Sequence, residues 1–199
     1  MGVAIRRAVE GDRDLVVRVL DEAFVADPVS CWVFPGERQR RERHSGLMGV
    51  FTDATLAEGF VDLAEDGSAV ALWMDVPAEP EDEGEEDVPA QVRAAVDPEN
   101  VRVEQIARWT SQAHPTGRAH AYLWMIGVTP ERQGQGLGTE LMAPVLERCD
   151  REGLPAYLEA SNRRSRELYE RLGFVFTGTA IDLPGGPSMW PMWREPQSG

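Results

Sequence analysis

The segment Arg132-Gln133-Gly134-Gln135-Gly136-Leu137-Gly138 constrains this chain more than any other. It follows an apolar run, Tyr122 to Val128, and opens an amphipathic stretch that extends to about Arg151. Apolar strand, glycine-rich turn and helix start together predict an anion cradle. Successive backbone N–H groups converge there, and the helix dipole adds partial positive charge. The glycines let backbone approach a phosphate with no Cβ in the way. Two familiar glycine loops are excluded. A Walker loop needs a terminal lysine, and this chain contains no lysine at all. A dinucleotide fingerprint needs flanking βαβ units and an acidic residue about 20 residues on. Glu159 stands near that distance, but the loop comes late in the chain, behind helices and an antiparallel meander.

Walking from the start, Val3 to Val9 reads as a first strand rather than a signal peptide, and Asp12 as the N-cap of a helix ending near Phe24. Asp27-Pro28 reads as a break. A second helix is expected over Arg38 to Leu56, then a hairpin of Phe60 to Glu65 and Ser68 to Val76 turned by Asp66-Gly67. Val88 to Val96 and Glu99 to Gln112 read as helices split by Asp97-Pro98. His114-Pro115-Thr116-Gly117 leads into a central strand, Ala121 to Val128. After the glycine loop and its helix come a strand, Ala156 to Ala160, and a helix, Arg163 to Leu172. A closing hairpin pairs Phe174 to Leu183 with Met189 to Trp193. There is no internal repeat, and one domain over residues 1–199 is expected.

Gln133, Gly136 and Gly138 match a Gln-x-x-Gly-x-Gly signature, and Asn162, Ser165, Tyr169 and Gly173-Phe174 match an Asn-x-x-Ser-x-x-x-Tyr-x-x-x-Gly-Phe ending. On these motifs the chain resembles the GCN5-related N-acetyltransferase (GNAT) superfamily. Ala23 to Pro28, Glu65 to Trp73, His114-Pro115 and Leu158 to Ser161 resemble, more faintly, the branch containing puromycin N-acetyltransferase. The resemblance implies an α/β fold with a mixed, mostly antiparallel sheet of about seven strands, whose central strands splay. It implies acetyl-CoA as co-substrate, with no metal, and direct attack of a primary amine through a tetrahedral intermediate.

Carried over residue by residue, the cofactor side comprises Ile126, Gly127 and Val128 on the strand, then Arg132, Gln133, Gly134, Gln135, Gly136, Leu137, Gly138 and Thr139 in the loop, and Asn162 and Ser165 beyond it. Arg163, Arg164 and Arg166 add local positive charge. Tyr169 is the expected donor to the departing sulfur, since a free alkyl thiol titrates near 8.5. Helix capping is the competing role for Asn162 and Ser165.

The general base is harder to read, because the central strand carries no carboxylate. A lysine-like amine with a pKa of about 10.4 costs roughly 4–5 kcal/mol to deprotonate at pH 7, whereas an α-amine near 7.8 costs about 1. Such a site favours a low-pKa amine or a water relay. Glu159 is the first candidate to start that relay and His120 the second. Asp27 is a candidate contact for the acceptor's ammonium. Of six tryptophans, Trp124 and Trp32 are the pocket candidates, able to stack on a flat acceptor. The acceptor expected is a small-molecule amine, of aminonucleoside-antibiotic type or another natural product. A protein N-terminal or lysine acetyltransferase and a non-catalytic acyl-CoA sensor are the alternatives.

Composition excludes other partners. A net charge of −14 opposes nucleic acid or an anionic membrane. It does not exclude a polyanionic co-substrate, because screening over about 8 Å leaves local donors in charge. No apolar run reaches the roughly 20 residues a bilayer requires. Cys31 and Cys149 lack metal-ligand spacing and are expected as reduced thiols in a cytoplasmic bacterial protein, a monomer or homodimer. The acidic run Pro77 to Asp87 reads as a solvated loop; its second reading is a gate that attracts a cationic amine.

Overall fold

The computed structural model describes residues 3–79 and 87–197. Most of the acidic run therefore lies outside the described residues. Among the described residues, eight strands form a mixed sheet: β1 (Ile5–Arg7), β2 (Phe60–Ala64), β3 (Ala69–Val76), β4 (His120–Val128), β5 (Ala156–Ala160), β6 (Val175–Phe176), β7 (Ile181–Asp182) and β8 (Ser188–Arg194). Their order is β1-β2-β3-β4-β5-β8-β6, with β7 also paired to β8. Of these pairs, β4 with β5 is the parallel one. Seven α-helices flank the sheet: α1 (Arg13–Phe24), α2 (Pro28–Val33), α3 (Glu37–Glu58), α4 (Val88–Val96), α5 (Val101–Ala113), α6 (Leu137–Glu152) and α7 (Arg163–Arg171).

Two hydrophobic cores sandwich the sheet, and β3 shows how. Val70 and Leu72 pack with Val16, Val19 and Leu20 of α1 and Leu47 and Met48 of α3. Ala69, Ala71 and Trp73 pack on the opposite face with Leu141, Met142 and Val145 of α6. This is strict two-residue alternation on a strand buried on both faces.

On β4 the alternation breaks. Leu72 pairs with Met125 and Trp73 with Leu123, so Trp124 has no partner on β3. The bulge sends Leu123 and Met125 to opposite cores, which an unbroken strand would place on one face.

Several local expectations need correction. Asp27-Pro28 starts a helix rather than ending the chain's order: the Asp27 carboxylate accepts from Val29 N at 2.9 Å, and proline suits the first helical position. Asp12 does not cap α1. Its carboxylate instead takes the Arg6 guanidinium at 2.7 Å and the Val9 N–H at 2.9 Å. Helix α5 starts at Val101, capped by Asn100, whose side chain accepts from Arg102 N. The closing segment is two short strands, β6 and β7, and not one. Gly178 at φ +100° turns the chain between them.

Candidate functional site

Parallel pairing of β4 with β5 stops after Leu123↔Leu158. Beyond it, Met125 to Val128 stay paired to β3 on one side only. The edge facing β5 thus presents unpaired backbone groups, which need a partner. A cleft of about 1410 Å³ runs through this gap, from the glycine loop to α3, α4 and α5. Its volume exceeds the roughly 300–1,000 Å³ typical of a single small-ligand pocket.

At one mouth lies the glycine loop. Gly134 (φ +78°) and Gly136 (φ +89°) hold backbone conformations that only glycine adopts without strain. Side chains brace the loop: Gln133 Nε2 donates to Val128 O at 3.1 Å and Arg132 Nη1 to Asp66 Oδ2 at 2.7 Å. Arg164 reaches across from α7 to Gln133 Oε1 at 3.3 Å. The first-turn N–H groups of α6, from Leu137 to Thr139, have no preceding turn to bond and face this mouth. At Gly138 an added Cβ would sit 3.2 Å from Leu168 Cδ2, so this glycine also lets α7 pack close.

Where the strands part stands Glu159. Tyr122 donates its hydroxyl to Glu159 Oε2 at 2.9 Å, while Oε1 is buried with no hydrogen-bond partner. Burial pushes the carboxyl up to about 7, partly offset by the hydroxyls of Tyr122 and Tyr157. Across the cleft, Tyr169 is 6% exposed and packs edge-on against Phe174 at 6.0 Å. Burial, reinforced by the charge of Asp27, holds its phenol well above the ordinary range, so it stays protonated.

Two further polar clusters border the cleft. His114 Nε2 and His120 Nε2 are 2.9 Å apart, and His120 Nδ1 faces the carbonyl of Arg118 at 2.8 Å. A carbonyl only accepts, so His120 carries its proton on Nδ1 and His114 donates through Nε2. Burial lowers His114 to about 4, with His120 adding to the effect. Burial also lowers His120, against the Arg118 carbonyl. Both rings are therefore neutral at pH 7. The second cluster is Asp21 Oδ1, His44 Nδ1 and Ser30 Oγ, linked at 2.7 and 2.9 Å. His44 is fully buried, and burial pulls its pKa down although Asp21 opposes this. A ring so placed resists becoming imidazolium. Ser30, which lines the cleft, donates its hydroxyl to Nε2 of this neutral ring while Nδ1–H goes to Asp21, an arrangement that holds the hydroxyl in one orientation.

A family model described as acetyltransferase (GNAT) family matches residues 57–174, more than half of the chain. The chain belongs to that family. Over 55 residues it is 46% identical to an uncharacterized N-acetyltransferase of Schizosaccharomyces pombe, covering 28% of this chain and 22% of that one. Over 85 residues it is 38% identical to mycothiol acetyltransferase of Paenarthrobacter aurescens, covering 40% and 25%. The matches thus span about a quarter of the length of these curated relatives. Among solved structures, histone acetyltransferase HPA2 and related acetyltransferase from Corynebacterium glutamicum has a TM-score of 0.74 at 24% identity, with 100% of this chain and 99% of that one covered. Arylalkylamine N-acetyltransferase 2 from Aedes aegypti reaches 0.68 at 13% identity, with 99% and 100% covered. At these identities the likeness is one of fold.

In this GNAT-family chain the cleft gathers most of the residues singled out from the sequence. Ile126, Val128, Arg132, Gln133, Gly134, Gly136, Leu137, Gly138, Thr139, Asn162, Ser165, Tyr169, Glu159, Asp27 and Trp124 all line it. Four lie elsewhere. Gly127 faces Leu20 and Ala23 of α1, whose side chains a Cβ would meet at 3.3 and 3.2 Å. Gln135 bonds Glu131 O and Arg132 within the loop. His120 is 1% exposed behind His114. Trp32 is buried, donating to Pro184 O at 3.0 Å beneath the Arg102 guanidinium.

Two of those that line the cleft are already occupied. Asp27 Oδ1 accepts from Val29 N, and its Oδ2 accepts from Ser161 Oγ at 3.0 Å and Asn162 Nδ2 at 3.1 Å. Asn162 caps α7 through Ser165 N at 2.9 Å. Tyr122, His114 and Ser30 border the site without having been assigned a role from the sequence. Their signal is tertiary, since each acquires its chemistry from a partner on another element. No helix among the described residues is long and apolar enough to cross a membrane.

Proposed function

We propose that this chain transfers the acetyl group of acetyl-CoA to the primary amine of a small molecule. The observation that carries this reading is Glu159, a carboxylate with one free buried oxygen, standing where the two central strands part beside a glycine cradle. The residues present fit coenzyme A. Glycine N–H groups and Arg164 suit the diphosphate, and the unpaired edge of Ile126 and Val128 suits the amide-bearing arm. When bound, acetyl-CoA supplies the activated acetyl group.

The chain's own residues do the rest. With a pKa of about 7, Glu159 is matched to accept a proton from an ammonium group near neutral pH, directly or through one water. Tyr122 fixes the carboxylate's orientation and leaves Oε1 to receive that proton. Protonated Tyr169 acts as hydrogen-bond donor to the developing thiolate. Its raised pKa favours sharing the proton over surrendering it.

Walls from α4 and α5 at the acceptor end support a small acceptor over a peptide laid in an open groove. An aminonucleoside-type antibiotic or another amine-bearing natural product is the acceptor class put first, in keeping with the puromycin-type motifs. Thiol release from acetyl-CoA across a panel of amines tests the activity. Tyr169→Phe is expected to lower kcat by roughly 100-fold or more while leaving the acetyl-CoA Kd unchanged. Wild-type turnover in that variant removes Tyr169 from the mechanism.

A further inference from the structure

The acceptor end of the cleft has an unusual chemistry for so acidic a chain. Helices α3, α4 and α5 carry many charged side chains, yet none of the residues they contribute to the cleft wall is charged among the described residues. Several of these charges pair with one another or with a neighbouring helix. Arg93 of α4 and Arg108 of α5 share Glu104, Arg38 meets Glu42 within α3, and Asp53 holds Arg13 of α1. What these helices offer the cleft instead is half-buried apolar surface, chiefly Val50, Phe51, Val92 and Ile106. The β4 bulge sets Trp124 against Phe51, ring centroids 4.9 Å apart at 52°, so the two form an aromatic wall beside Glu159. The nearby carboxylate of Asp27 has both oxygens engaged.

A polycationic acceptor leaves charges with no partner on such walls, a costly arrangement. An aromatic or branched apolar body gains from every contact. Glu159 supplies the chamber's carboxylate at its inner end, enough for one reacting amine. Resting on the acetyl-transfer reading above, we infer that the acceptor is a single primary amine borne on a bulky, uncharged, apolar or aromatic body, and not a polyamine, an aminoglycoside-like polycation or a peptide chain.

The test uses the full chain with acetyl-CoA, comparing 2-phenylethylamine, tryptamine, n-alkylamines from butyl to octyl, spermidine and a short peptide with a free N-terminus. The expected result is a kcat/KM for the aromatic amines at least tenfold above spermidine and peptide. Along the alkyl series, each CH₂ should multiply kcat/KM by roughly threefold to fourfold until the chamber fills. Val92→Glu should cut the aromatic amines by tenfold or more and narrow the gap to spermidine, with the acetyl-CoA Kd unchanged. Val92→Ala, which keeps α4 intact, should give a smaller loss in the same order. Preference of the wild type for spermidine or peptide overturns the inference and leaves acetyl transfer standing. Tight acetyl-CoA binding with no amine consumed overturns the transfer reading, and this inference with it.

Discussion

Glu159→Gln is expected to reduce kcat/KM by on the order of 100-fold or more and to erase the acidic limb of its pH profile. Below the carboxyl's pKa of about 7 the wild-type group is protonated and cannot accept. Log kcat/KM should then climb with unit slope as pH rises, flattening above 7. An acceptor amine of low pKa keeps its own ionisation from adding a second slope. An inflection that survives in the glutamine variant would assign it to another group and defeat Glu159 as base.

Stability should move the other way. The native carboxyl titrates near 7 against an ordinary 4.5, so between those values the folded state holds a proton that the unfolded state has released. Raising pH through that window therefore costs stability, by about 3 kcal/mol when complete. The glutamine variant lacks this loss. Its melting temperature should exceed that of the wild type at pH 8 and match it near pH 4.5. A gain in stability paired with a loss of rate separates a working carboxylate from a structural one.

Gly136→Val is the second large effect. Gly136 sits at φ +89° with nothing within 4 Å of where a Cβ would stand. The penalty is therefore backbone strain of roughly 1–3 kcal/mol, together with a side chain placed over the anion cradle. A rise of about 100-fold in the Kd for coenzyme A is expected by calorimetry, the equivalent of about 2.7 kcal/mol. Gly153 closes the other end of α6 at φ +68°, also with no neighbour within 4 Å. Gly153→Val should therefore cost comparable stability and leave coenzyme A affinity untouched. Equal affinity losses in both variants would mean that helix integrity, and not the cradle, governs binding.

Much of this arrangement could be read from the chain because it is local. The turn Gln133 to Gly138 declares its conformation through its glycines, and Asp66-Gly67 between two apolar runs declares the hairpin of β2 and β3. Other features depend on distant partners. The bulge at Trp124 exists because β3 and β4 slip by one residue, and no pattern within β4 marks it. Asp27-Pro28 reads equally as a break or a helix start, and the Val29 N–H decides between them. The pairing of His44 with Asp21 and Ser30 joins three elements through packing. Within α3 it shows only as a histidine on the same face as Leu47 and Met48. Glu159 was visible as a carboxylate, but burial raises its pKa against the hydrogen bond from Tyr122, and both depend on residues distant in sequence.

Asp27 has a wider consequence. One of its oxygens secures the start of α2, the helix that carries Ser30, and the other secures the turn entering α7, the helix that carries Tyr169. A single rivet thus fastens both jaws of the enzyme. On the proposed reading, loosening it would slacken the hold on donor and recipient together, so an inherited change at this one aspartate would look, kinetically, like two separate lesions.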